Sequence, residues 1–261
     1  MRAHRDLCTL ATAAAQAAGD VIRASRRDGS RVPSETKGTG DYVTAVDRAA
    51  EAAAIAVLRG GAPGIDVLAE EQGGVRSARM WVVDPLDGTT NFIRGYPEVG
   101  VSVALVVDGV PVVGAVHAPL TGGMWSAIHG EGAFDSAGRR LDIAEVPGDG
   151  VTATGFPFRH KEMSARYLPV FESVLAGFED LRRAGAATLD LAYTALGTWD
   201  GFFELNLHLW DIAAGSLLVR EAGGVVTDWG GDERAVFDSG DILAGAPAWH
   251  ERMLDITRSA S

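Results

Sequence analysis

Apolar positions recur along this chain in two rhythms, and chemistry-bearing residues gather where the rhythm changes. Leu7, Leu10, Ala11, Ala14, Ala17, Ala18, Val21 and Ile22 form an i, i+3, i+4, i+7 stripe, the mark of a helix with one buried face. Ala15-Gln16-Ala17, behind Arg2 and Arg5, has the small-x-small form of a signal-peptidase site. Asp6 interrupts that basic stretch and the stripe runs through the supposed cleavage point, so the segment is expected to stay in the fold. Val46, Ala49, Ala50, Ala53 and Val57 predict a second helix, ended by Gly60-Gly61. Between the two, residues 28–40 read as a loop.

Shorter apolar runs follow. Residues 80–83 read as a buried strand, which Asp84-Pro85 should stop because proline lacks the ladder N–H. Residues 101–107 and 110–116 flank Asp108-Gly109, a strong hairpin signal, and 123–128 and 133–143 add strand-like pieces. The first half is therefore expected to form a mixed rather than purely parallel sheet. In the second half, 162–175 and 188–196 read as helices and 201–205 as a strand. Ile212, Ser216, Val219 and Arg220 mark a helix closed by Ala222-Gly223-Gly224, before strands at 225–227 and 242–244 and a helix over 248–257. The fold class is mixed α/β in layers. Pro147-Gly148-Asp149-Gly150 is the natural boundary between an N-terminal α+β half (1–147) and a C-terminal α/β half (148–261), packed as one functional unit.

Composition narrows the function. The chain has 261 residues, with 23 Lys+Arg against 35 Asp+Glu, a formal charge of −12. No basic surface of the kind that displaces counterions from nucleic acid or meets an anionic membrane is expected. No apolar run reaches the roughly 18–20 residues needed to span a bilayer. Cys8 is the only cysteine, so an intramolecular disulfide and a Cys-rich metal site are excluded, and a cytoplasmic setting is expected.

The densest chemistry is Asp84-Pro85-Leu86-Asp87-Gly88-Thr89-Thr90-Asn91-Phe92, directly after the apolar strand. Two carboxylates three positions apart can reach one metal or bridge two. Gly88 lets backbone approach a ligand, and a helix starting near Thr89 would turn free N–H groups toward an anion. Carboxylates for a cation beside amides for an anion describe a metal-assisted phosphate site. Glu70-Glu71 after the apolar piece 65–68, and Asp211 in Leu209-Trp210-Asp211-Ile212, add carboxylates. Hard oxygen ligands of this kind suit Mg²⁺ better than Zn²⁺.

With these motifs the sequence resembles the inositol monophosphatase family of Mg²⁺-dependent, lithium-sensitive sugar phosphatases. The resemblance runs from Asp41-Tyr42-Val43-Thr44-Ala45-Val46-Asp47 to Glu221-Ala222-Gly223-Gly224, and Asp-Pro-x-Asp-Gly-Thr with Trp-Asp-x-Ala-x-Gly carries it. It implies a layered α-β-α-β-α sandwich, a homodimer, and a site holding two or three Mg²⁺. Residue by residue, it implies Glu70, Asp84, Asp87, Asp211 and the Leu86 carbonyl as metal ligands. Thr89, with Glu70, would orient the attacking water, and Asp47 would hydrogen-bond Thr89. The Gly88 and Thr89 amides would cradle phosphate, with Asp87, Thr90 and Asp211 also facing substrate. Glu204 and Gly185-Ala186-Ala187 match positions that contact the polyol, though many relatives carry Ser or Thr where Ala186 stands. Lys37 matches a basic residue of the 28–40 loop. The clustered acids carry about −5, which two or three Mg²⁺ reverse with roughly +4 to +6.

The implied activity is hydrolysis of inositol 1-phosphate or a similar small polyol phosphate by metal-activated water. Histidinol-phosphate phosphatase, fructose-1,6-bisphosphatase and 3′-phosphoadenosine nucleotidase are alternatives within the superfamily. A partner-binding regulatory protein that keeps the fold, as some relatives do in transcription, is the alternative of another class. His117, His129 and His208 lack ligand spacing and read as structural. Asp228, Asp232, Asp238 and Asp241 lack calcium-loop spacing and read as solvated surface. Trp199, Trp210 and Trp229 read as packing residues.

Overall fold

The computed structural model of the chain describes residues 2–26, 34–38 and 41–260. Two N-terminal helices, α1 (Arg2–Ser25) and α2 (Ala45–Gly61), pack against each other and cover one face of a six-stranded sheet. Of the stripe read from sequence, Ala11, Ala14, Ala18 and Ile22 are wholly enclosed on α1, together with Ala15 beside it, while Leu7, Leu10, Ala17 and Val21 are half-buried at its edges. Cys8 is buried beside them. Thr44 caps α2, and Asp47 answers by accepting a bond from the Thr44 N–H, a reciprocal cap. Before α2, β1 (Ser34–Gly38) and β2 (Asp41–Thr44) form a small antiparallel ladder, which corrects the loop reading of 28–40 over residues 34–38: pairing with β2 makes that stretch a strand. The backbone of Lys37 lies in β1; its side chain, residues 27–33 and residues 39–40 lie outside the described residues.

The six-stranded sheet has the order β3-β4-β5-β6-β7-β8. Its members are β3 (Asp66–Ala69), β4 (Arg79–Asp87), β5 (Gly100–Val107), β6 (Val110–Ala118), β7 (Gly123–Ile128) and β8 (Gly132–Asp135). Only β3 and β4 are parallel, so the sheet is mixed, as expected. The hairpin between β5 and β6 turns on Asp108 and Gly109, both at positive φ. Two strand expectations are corrected. β4 does not stop at Asp84-Pro85 but runs on to Asp87. Its pairing passes from Asp84↔Ser102 to Asp87↔Gly100, and the extra residue forms a bulge where proline's missing N–H breaks no ladder bond. The 133–143 piece is a strand only to Asp135, because a turn through Gly138 (φ +76) interrupts it. Between β4 and β5 lies the short helix α3 (Thr89–Arg94).

The second sheet has the order β10-β9-β11-β13-β12. It is built from β9 (Val151–Thr154), β10 (Asp180–Arg182), β11 (Gly201–Glu204), β12 (Val225–Thr227) and β13 (Ile242–Gly245). Helices α5 (Ala187–Ala195) and α6 (Leu209–Glu221) lie between the two sheets. α4 (Ser164–Gly177) and α8 (Pro247–Ser259) cover the far face, and the short α7 (Val236–Ser239) precedes β13. The layers are therefore α1/α2, six strands, α5/α6, five strands, α4/α8. The middle helices are apolar nearly all round, as burial between two sheets requires. One core joins Met80, Val82 and Ala104 of the first sheet to Leu189, Ile212 and Leu217 of the helices and Phe202 and Ala244 of the second sheet.

Candidate active site

A cavity of about 480 Å³ opens where the C-terminal ends of β3, β4 and β11 meet the N-termini of α3, α5 and α6. Glu70, Asp84, Leu86, Asp87, Gly88, Thr89, Thr90, Gly185, Ala187, Glu204 and Asp211 all line it. Backbone donors fix the acids. Asp84 accepts from the Leu86 N–H at 3.0 Å, Asp87 from the Thr188 N–H at the start of α5 at 2.7 Å, and Asp211 from the His208 N–H at 2.7 Å. Ser102 Oγ donates to the Trp210 carbonyl at 2.9 Å, tying the start of α6 to β5.

Thr89 stands at the mouth of the β4 bulge. Its Oγ1 lies 3.0 Å from Asp47 Oδ1 and 3.2 Å from the Leu86 carbonyl, and one hydroxyl proton serves one of these acceptors at a time. Asp47 is buried behind Thr89 rather than on the cavity wall. Gly88, which precedes α3, adopts φ +85, and a Cβ there would lie 2.8 Å from the Glu98 carbonyl. Ala186 is buried and does not line the cavity; a Cβ on Gly88 would lie 3.4 Å from its methyl. Asn91 Nδ2 reaches the carbonyls of Glu98 and Ala184 at 2.7 and 3.0 Å, pinning the 184–185 turn to α3.

Burial, then the charges of Glu70, Asp87 and Asp211, raises Asp84 well above the usual carboxylate range. Burial also raises Asp87, against the Thr188 bond that lowers it, and pushes Asp211 up to about 7 with help from Asp87. Glu204 is pushed up to about 8, chiefly by burial, while Arg183 opposes the rise. A side-chain hydrogen bond between Asp84 and Asp211 also lowers Asp211. Carboxylates that raise one another are what a dication relieves, and an all-oxygen donor set fits Mg²⁺. Among the described residues, no three acidic, imidazole or thiol groups form a ready-made cage.

The opposite wall was missed in the sequence. Arg159, His160 and Lys161, between β9 and α4, line the cavity together with Arg183 after β10, and all four are exposed. The Arg183 guanidinium lies over the rings of Phe158 and Phe156, 5.3 and 5.9 Å from their centroids. Arg159 acts to lower Asp87, Asp211 and Glu204. A Phe-Pro-Phe run followed by three basic residues was the available signal. Gly155 opens that run, and a Cβ there would fall 2.0 Å from the Glu204 carboxylate.

The other candidates separate. His117 is buried, with Nδ1 2.7 Å from the Gly123 carbonyl and Nε2 3.0 Å from Arg23 Nη1. His129 is exposed beside Glu221, while His208 does line the cavity, stacked on Trp210. Trp229 packs in the outer core. Asp241 corrects the solvated-surface reading: it is buried, ion-paired with Arg166, and accepts the Asn206 N–H at 3.0 Å.

Fold and site together define a class: a layered α/β sandwich whose strand ends and helix starts gather acidic side chains in one cavity. The chain belongs to the inositol monophosphatase family, whose sequence profile matches residues 4–261. The Nus factor SuhB of Salmonella typhimurium (strain LT2) is 41% identical over 252 residues, covering 95% of this chain and 94% of that protein. Among solved structures, the extragenic suppressor protein suhB from Bartonella henselae superposes with a TM-score of 0.88 at 37% identity, covering 96% of this chain and 97% of its own. The inositol monophosphatase from Anabaena gives 0.84 at 31% identity, over 98% and 96%. Among the described residues, no helix is long and apolar enough to cross a membrane.

Proposed function

We propose that this protein is a Mg²⁺-dependent phosphomonoesterase acting on inositol 1-phosphate or a similar small polyol phosphate. The observation that carries the reading is the meeting of Glu70, Asp84, Asp87 and Asp211 beside a Thr89 hydroxyl within reach of buried Asp47. Glu70, Asp84, Asp87, Asp211 and the Leu86 carbonyl would hold two or three Mg²⁺. When bound there, Mg²⁺ would supply positive charge against the phosphate and would acidify water. With its O–H donated in a hydrogen bond to Asp47, Thr89 Oγ1 keeps a lone pair free to accept a hydrogen bond from the attacking water, and Glu70 completes its orientation. The Gly88 and Thr89 amides hold phosphate, and Glu204, Gly185 and Ala187 face the polyol. No nucleophilic side chain is needed, because phosphoryl transfer rests on positioning and charge. The working form would be a cytoplasmic homodimer inhibited by millimolar lithium.

A phosphate-release panel over inositol, histidinol, fructose and adenosine phosphates with Mg²⁺ tests this. The reading expects inositol 1-phosphate or another small polyol ester to turn over fastest, and preference for the adenosine ester would overturn the substrate class. A second reading, a regulatory protein that binds a partner, is favoured by the name Nus factor SuhB carried by curated relatives. Absence of turnover on every ester, in a protein that binds Mg²⁺, would favour it.

A further inference from the structure

We propose that Glu51 is a positioning residue for the hydrolysis: through it, α2 fixes the turn that carries Glu70, as α2 fixes Thr89 through Asp47. This rests on the reading above, in which Glu70 and Thr89 together orient the attacking water. Glu51 lies one helical turn beyond Asp47 on the same inward face of α2, and both are buried. A carboxylate in that position is costly unless donors meet it. Two backbone donors do: the Glu71 N–H reaches Oε2 at 2.7 Å, and the Gln72 N–H reaches Oε1 at 2.9 Å.

The remaining N–H groups of the turn are also engaged. Ala69 and Gly73 exchange N–H···O=C bonds, both of 3.0 Å, and the Glu70 N–H reaches the Val83 carbonyl of β4 at 3.2 Å. Every donor from Ala69 to Gly73 therefore has a partner, and the two that reach outside the sheet and its turn both go to Glu51. Glu70 is thus held between β4 on one side and α2 on the other. Asp47 does the same for Thr89 through its 3.0 Å bond. The two anchors stand four residues apart on one helix, a rise of about 6 Å. That helix packs against α1 and β4, so the spacing of Glu70 and Thr89 is set by a rigid bar, not by either loop. The geometry separates this role from simple core filling, which would not need the two acceptor oxygens.

The test is Glu51→Gln in the full chain, which keeps the side-chain volume and turns an NH₂ donor toward one of the two N–H groups. Turnover of inositol 1-phosphate should fall about 10–100-fold with KM within about 3-fold, as expected for a misplaced catalytic group. Amide exchange at Glu71 and Gln72 should rise at least about 10-fold while Leu58, farther along α2, keeps its protection. A folded variant with unchanged turnover, or with unchanged exchange at those two amides, overturns the proposal. If the Gln variant does not fold, Glu51→Asp, one methylene shorter, is read by the same two criteria. A wild-type protein that hydrolyses no ester would sink the phosphatase reading instead, and exchange at Glu71 and Gln72 would still decide whether Glu51 holds the turn.

Discussion

The acidic wall of the cavity stands on backbone hydrogen bonds, whereas the basic wall is made of exposed side chains of which Arg183 rests on aromatic rings, and the two are held accordingly. Asp84, Asp87 and Asp211 each accept an N–H at 3.0 Å or less from an element end. Those donors come from β4, α5 and the start of α6, all anchored in the layered core. Arg159, His160, Lys161 and Arg183 are exposed side chains on connecting segments, and Arg183 rests on Phe156 and Phe158. Groups that stabilise developing charge must be in place before reaction, since reorganising them would raise the barrier. Groups that meet and select a substrate can adjust to it. On the proposed function, the difference is a division of labour: chemistry on the fixed acidic wall, capture and selection on the basic one.

The sharpest way to break that division is Asp87→Asn or Asp211→Asn. Each should remove turnover almost entirely, because metal charge supplies several kcal/mol to the transition state. Turnover surviving within about 10-fold of wild type would place the chemistry elsewhere. Thr89→Ala comes next, with a predicted loss of roughly 10²–10³-fold, about 3–4 kcal/mol, in kcat. KM should move far less, because the Thr89 amide remains to hold phosphate. Thr90→Ala, exposed at the cavity edge, is the control; equal losses in both variants would mean that the wrong hydroxyl has been given the water. On the opposite wall, Arg183→Gln should raise KM by about 3–10-fold with kcat nearly unchanged, the size expected of one exposed charge-assisted contact. A fall in kcat instead would make the basic wall part of the chemistry.

The smallest effect lies outside both walls. Burial holds the His117 imidazole below its ordinary value of 6.5, with Arg23 adding to the effect. Its neighbours include Asp20, which opposes the shift, and the Gly123 carbonyl. A base whose folded pKa is depressed leaves the unfolded chain binding more protons as pH falls, so the His117 contribution to stability is full above about 6.5 and declines below it. Asp84, Asp87, Asp211 and Glu204, raised by burial, contribute the opposite slope in any variant, so the readout is the difference: from pH 7.5 to pH 5.5, His117→Gln should lose less thermal stability, or gain more, than wild type. A variant with the wild-type pH dependence would remove His117 from the account. His250, depressed in the same way by burial, contributes with the same sign as His117.

How much of this was legible in the sequence depends on how far apart the interacting residues are. Asp84, Asp87 and Thr89 were readable because one strand end and one turn bring them together within a few residues. The α1 stripe and the Asp108-Gly109 hairpin were readable for the same local reason. Asp47 and Glu204 could be placed only through the family resemblance, since nothing near them in sequence marks their environment. Glu51 and Asp241 were not readable, and the basic wall left only the Phe-Pro-Phe run before Arg159 as a signal, with Arg183 distant in sequence. Their partners come from other elements: Glu71 and Gln72 for Glu51, Arg166 for Asp241, Phe156 and Phe158 for Arg183. Pro85 misled because proline argues against a central ladder, and a bulge at that residue removes the objection.

The central claim, that fixed acids act through a divalent cation on a phosphate ester, is tested most directly by one titration. Protein stripped with chelator is given inositol 1-phosphate, and phosphate release is followed as Mg²⁺ is returned. The account predicts no turnover in the stripped protein and saturating recovery with added Mg²⁺, absent in Asp87→Asn. Full turnover by the chelated protein would contradict it.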